Sequence, residues 1–232
     1  MFFFFFFSTS YIAIVGDIVG SKVLVDRNSA QRKLKSILEE INTKYYDDIE
    51  AQFTITLGDE FQGLLKSGQR VMDIITEIEI QMHPIEVRFG IGVGEISTDI
   101  NRYAALGADG EAYYRAREMI EEIRQLAQQK KPIPTDIMIK TDPQNEEIDR
   151  LINTILTLCK SIKDRWTDRQ KEVVYDCLQN GDNQEQVALR LGKQQPAIHK
   201  NLTAANYYSY KEAISVVSSM IAKIRHSEEK AN

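Results

Sequence analysis

The chain has 232 residues, 43% of them hydrophobic, enough for one large or two small packed domains. Its formal charge of −5 is unevenly spread: residues 1–144 carry 16 Lys and Arg against 22 Asp and Glu, the remainder 13 against 12. Neither part is polybasic, and two cysteines without a paired motif argue against a disulfide scaffold and a cysteine-based zinc site.

Phe2 to Phe7 is a low-complexity run with no basic segment before it, too short for a bilayer span of about 20 apolar residues. Residues 1–10 are therefore expected to be disordered, with order beginning at Tyr11, no membrane attachment and a reducing cytoplasm as the compartment. Tyr11 to Val15, apolar and followed by glycine, predicts a buried strand. Between Ser29 and Tyr46 the spacing of Leu34, Ile37, Leu38 and Ile41 predicts an amphipathic helix. Phe53, Ile55 and Leu57 alternate with threonines before Gly58-Asp59 and a second apolar run from Phe61 to Leu65, which predicts a tight hairpin. Val71, Ile74, Ile75 and Ile78 mark a second helix. Glu86 to Ile96 alternates again, its glycines at 90, 92 and 94 leaving one face bare for a ligand or another backbone. A third helix over Ala112 to Leu126 and a strand over Asp136 to Lys140 follow. This order predicts an α+β, ferredoxin-like palm domain over residues 11–141, with helices packed on one face of its sheet.

Residues 142–232 read as helical. Asp142-Pro143 predicts a helix start, and Ile148, Leu151, Ile155, Leu158 and Ile162 predict its apolar face. Thr167 and Gln170 form a capping-box pair after Trp166, Asn180-Gly181 closes that helix, and Asp182 or Asn183 caps the next. From Gln184 to Leu202, small Ala188, apolar Val187, Leu191 and Ile198, and Gly192 at the turn meet the needs of a helix-turn-helix spanning about residues 167–205. Its second helix would lead with Gln194, Gln195, His199, Lys200 and Asn201, of which Gln and Asn suit adenine and Lys200 guanine or phosphate. Near-neutral charge leaves DNA binding and a protein-docking role as alternatives.

Two aspartates carry the chemistry of the first part. Asp17 ends the first strand in GDIVGSK and Asp59 sits in the hairpin TLGDEF; neighbouring strands lie about 4.8 Å apart, so the pair is expected to hold Mg²⁺ or Mn²⁺, with the Ile18 backbone as a further ligand. Val19, Gly20, Ser21 and Lys22 form a turn whose N–H groups suit phosphate. Glu60 is a candidate third ligand, and Arg88 either meets phosphate or pairs with an acid. His83, His199 and His226 share no zinc spacing, and neither haem nor flavin is expected.

GDIVGSK, TLGDEF and VRFGIGVGE together resemble the metal-binding blocks of class III nucleotidyl cyclases. TLGDEF and ADGEAYYRARE are also similar to the hairpin and helix blocks of GGDEF diguanylate cyclases. Tyr11 to Glu118 as a whole most resembles the bacterial SatD family. These resemblances imply a palm fold, a nucleoside triphosphate ligand and a homodimer. They also imply departures: Ile55 stands where class III enzymes place a base-selecting lysine, and Tyr113 stands for a transition-state asparagine, four residues before Arg117, which would act only on a cyclase-like route. Two readings follow, a regulator joining a metal- or nucleotide-binding domain to a helix-turn-helix, and a metal-dependent nucleotidyl or phosphoryl transferase.

Overall fold

The computed structural model describes residues 10–21, 26–103, 105, 107–129 and 132–224; the phenylalanine run, Lys22 and His226 lie outside them. Five strands, β1 (Tyr11–Ile18), β2 (Ile49–Leu57), β3 (Glu60–Leu65), β4 (Val87–Gly94) and β5 (Ile137–Lys140), form one sheet in the order β2-β3-β1-β4-β5. The first four are antiparallel, and β5 is parallel to β4. With α1 (Arg27–Lys44) between β1 and β2, and α2 (Val71–Met82) between β3 and β4, the β2-β3-β1-β4 core has the ferredoxin-like order.

Strand alternation divides the sheet into two faces. Ile12, Ile14, Phe61, Phe89 and Ile91 point to one, where Leu34, Leu38, Ile41, Ile74 and Ile78 of α1 and α2 close the main core. Ala13, Val15 and Leu64 point to the other and meet α3 (Glu111–Ala127). Helices thus cover both faces, where the sequence pattern led us to expect one. The physical reason lies in the glycines of β4. A Cβ on Gly90 would lie 2.0 Å from the Ala116 carbonyl oxygen, and one on Gly92 2.0 Å from that of Ala112, so the bare strand face is filled by the α3 backbone.

The remaining helices are α4 (Glu146–Lys163), α5 (Asp168–Asn180), α6 (Gln184–Leu191), α7 (Gln195–Ala204) and α8 (Tyr207–Lys223). A short turn over Pro143–Asn145 precedes α4, so this helix starts later than Asp142-Pro143 suggested. Its buried residues are Asp149, Ile152, Leu156 and Cys159. That corrects the expected face: Ile148, Leu151 and Leu158 are 39%, 59% and 59% exposed, and Ile155 and Ile162 only partly buried. Two polar residues fix the rotation of α4. Asp149 accepts bonds from the N–H (2.8 Å) and hydroxyl (2.9 Å) of Thr141, just after β5. Asn153 accepts from the Ile139 N–H (2.8 Å) and donates to the Ile139 carbonyl (2.9 Å), closing the outer edge of β5.

Ile152 and Leu156 of α4, with Val217 and Ile221 of α8, join the sheet's own core. A second core forms among α5, α6, α7 and the facing sides of α4 and α8, around Trp166, Val173, Val187, Ile198, Leu202 and Tyr210. Trp166 donates from its indole nitrogen to the Ala205 carbonyl (2.7 Å) and meets Tyr210 edge-on. The Thr167–Gln170 capping box opens α5, and Asn183 caps α6 through the N–H groups of Glu185 and Gln186.

Candidate functional site

Asp17 extends from β1 on the α3 face and is only 3% exposed. Register sets Arg88 directly opposite it on β4. The Arg88 guanidinium grips the carboxylate through both oxygens, Nε to Oδ1 at 2.9 Å and Nη2 to Oδ2 at 2.8 Å. Arg124 reaches down from α3 and adds a third bond to Oδ2 at 2.8 Å, while itself pairing with Glu121 at 3.4 Å. Asp59, at the hairpin tip, pairs with Arg27 of α1 at 3.3 Å. The neighbouring Gly58 carbonyl accepts from Gln31, so the first turns of α1 hold the tip in place.

This geometry bears on the predicted cation. Each aspartate has its own guanidinium partner, and both oxygens of Asp17 are already taken by a bidentate, charge-assisted pair. As arranged, the site suits two guanidinium groups and repels a third positive charge. Among the described residues no group of three or more His, Cys, Asp or Glu is disposed to hold a metal. Ile18 closes β1 opposite Val87, and the Val19 N–H is already donated to the Glu86 carbonyl (2.9 Å), so it is not free for phosphate. Gly20 forms the exposed turn and Ser21 is buried beside it. Glu60 is half-buried, opposite Asp17 in the β1–β3 register. Ile55 packs on the main core. Arg117 donates to the Gln62 side chain (2.9 Å), and Tyr113 beneath it is fully buried with no partner for its hydroxyl among the described residues. Arg117 also lines an open cleft of about 370 Å³ with Leu57, Glu60, Gln62 and Asp109, whereas Tyr113 does not reach it.

A feature missed in the sequence lies where the sheet meets the helices. Lys163, at the end of α4, bonds Glu79 of α2 at 2.6 Å and Asp136, just before β5, at 2.8 Å. Burial opposes the charge on Lys163, but the two carboxylates outweigh it and hold its pKa well above the ordinary lysine value. Burial, aided by Asp136 and opposed by Lys163, pushes Glu79 up to about 7. This triad borders a cavity of about 290 Å³, lined on the sheet side by Val19, Glu86 and Arg88 and on the helical side by Lys171 and Tyr175 of α5. His83 packs edge-on against Tyr175. Nothing in the spacing of Glu79, Asp136 and Lys163 signals their convergence; each reads singly as a surface charge.

In the helix-turn-helix, Gly192 takes φ 62°, the left-handed conformation at which α6 ends and the chain turns into α7. Gln194, Gln195, His199 and Lys200 are exposed, and Asn201 folds its amide back onto the Ala197 carbonyl (2.8 Å). Gln195 donates to Gln184 (2.7 Å), which in turn donates to the Tyr208 hydroxyl (2.8 Å). Nearby cations are matched: Arg190 with Asp176 (2.6 Å), Lys193 with Glu172 (2.5 Å).

A family model described as the SatD family matches residues 11–217. The chain belongs to the SatD family. No curated protein matches its sequence. Among solved structures, this SatD-family chain is similar to a bacterial light-regulated adenylyl cyclase, at 16% identity and a TM-score of 0.42, over 56% of this chain and 75% of that one. It is also similar to the catalytic core of a rhodopsin-guanylyl cyclase with converted specificity in complex with ATPαS, at 16% identity and a TM-score of 0.33, over 48% and 71%. No helix among the described residues is long and apolar enough to cross a membrane.

Proposed function

We propose that this SatD-family protein is a regulator, in which a nucleotide-responsive palm domain is joined to a helix-turn-helix that reads DNA. The observation that carries this reading is the cavity between the two parts, because its walls include both Arg88, the partner of Asp17, and Tyr175 and Lys171 of α5. A phosphate-bearing ligand that draws Arg88 from Asp17 would alter the wall shared with α5. At about 290 Å³ the cavity is at the small end for ligand sites and suits part of a nucleotide, such as its phosphate or its base. The exposed faces of Gln194, Gln195 and Lys200 support major-groove reading.

Gel shifts on the DNA upstream of the protein's own gene test the reading. Retardation at low salt, lost on Lys200→Ala and changed by nucleoside triphosphate, is the expected result. No retardation at low salt would leave a docking module in place of a DNA reader.

The second reading, Mg²⁺- or Mn²⁺-dependent nucleotidyl or phosphoryl transfer, rests on Asp17 and Asp59. It requires a cation to compete with Arg88 and Arg124 for Asp17, an exchange that the present donor set opposes. Thermal melts with Mn²⁺ and ATP or GTP separate the two readings. Under the regulator reading, Asp17→Ala lowers stability by about 3 kcal/mol with or without Mn²⁺, because it leaves the Arg88 guanidinium without its carboxylate and Arg124 with Glu121 alone. A melting shift that needs Mn²⁺ and vanishes in Asp59→Ala would favour the transferase.

A further inference from the structure

The rotation of α4 leaves Ile148, Leu151 and Leu158 of its most regular apolar stripe in solvent, with Ile155 and Ile162 partly buried along the inner border. Ile148, Leu151, Ile155, Leu158 and Ile162 repeat at intervals of three and four, the seam spacing of a two-helix coiled coil. Ile148, Leu151 and Leu158 are the residues whose exposure is given above, and Ile155 lies among them with one side against both cores and the other turned outward.

Other details single this band out from ordinary surface. From Leu151 to Cys159 the helix carries no charged residue, whereas Arg150 and Lys160 stand at the two ends of that interval. The flanking hydroxyls are turned inward: Thr154 donates to the Arg150 carbonyl (2.7 Å) and Ser161 to that of Thr157 (3.1 Å), so the borders need no water. Depletion of charge with internally satisfied polar groups marks the centre of an interface. Asn153 meanwhile closes the β5 edge, which blocks pairing through the sheet at this flank.

We infer that α4 is a homodimer interface, in which the stripes of two copies pack antiparallel about a twofold axis at Ile155. The stripe is nearly palindromic about that residue, so Ile155 meets its own copy, Leu151 meets the partner's Leu158, and Ile148 meets the partner's Ile162. Charge selects the direction. The first turn holds Glu146 and Glu147, and exposed Arg165 follows the last, where Asp164 is already matched by Lys160, so antiparallel packing sets acid against base and opposes the helix dipoles. A parallel pair would align like ends. The inference is independent of DNA reading, since it is tested by mass alone.

Light scattering on the full chain at micromolar concentration is expected to give twice the chain mass. Leu151→Glu with Leu158→Glu should weaken the dimer by about 100-fold or more and remove the dependence of the melting temperature on protein concentration, while leaving the circular dichroism unchanged, since both side chains are exposed. A short bis-maleimide should cross-link Ile155→Cys with itself but leave Leu151→Cys uncoupled unless mixed with Leu158→Cys. Cys159 and Cys177 are buried, so the unmodified chain is the background control. A wild-type monomer, or a dimer that survives the double glutamate variant, overturns the inference.

Discussion

One ammonium serving two carboxylates gives Glu79 a measurable behaviour. Lys163 is shared with Asp136, and burial, aided by the Asp136 carboxylate and only partly offset by Lys163, raises the carboxyl from 4.5 to about 7. A folded-state value above the unfolded one contributes stability that is complete below pH 4.5 and is lost as pH rises through about 7. The melting temperature of wild type should therefore fall across that window relative to Glu79→Gln, by the equivalent of about 3 kcal/mol. Parallel profiles for the two proteins would show that Glu79 does not titrate there. The Asp17 cluster shows how far single residues can be read from sequence. Arg88 was recognisable as a partner for phosphate or an acid, because it opens the glycine-alternating strand. Arg124 was not, because it comes from a helix 107 residues away in sequence and nothing local marks it.

At the scale of elements, α4 shows that periodicity finds an apolar face without saying what the face meets. Both of its stripes repeat helically. The buried one includes Asp149 and a cysteine and looks the poorer of the two, yet the bonds from Asp149 and Asn153 to the β5 region turn it inward. Asn153→Ala should leave the Ile139 N–H and carbonyl without partners at the sheet edge and lower unfolding stability by about 2 kcal/mol in urea titration. It should also increase aggregation on standing, as an uncovered edge accepts another strand. An unchanged midpoint would mean that solvent replaces both bonds. The hairpin, the capping box and the Gly192 turn were legible because each is written within a few adjacent residues. The placement of α3 on the opposite face was not, since β4's glycines admit a helix and a ligand equally.

For the molecule as a whole, the decisive fact is that α4 and α8 help to close the sheet's core. A fragment ending at residue 142 would lose Ile152, Leu156, Val217 and Ile221 from that core and uncover the apolar surface they bury. It is expected to be insoluble or to bind a hydrophobic dye strongly, while the full chain melts in a single transition. A soluble, cooperatively melting fragment would argue that the sheet closes unaided. The sequence marks where helical character begins, but the return of α8 to the sheet rests on long-range contacts that no local pattern encodes.

The anchoring of α4 and α8 also bears on how such a protein diversifies. The three helices between them leave from one root in the sheet and return to another, much as a loop does between two strands. Substitutions on the outer side of α7 touch neither root, so a lineage could change what its reading helix recognises without disturbing the sheet. The same drift in α4 or α8 would be felt in the sheet's core.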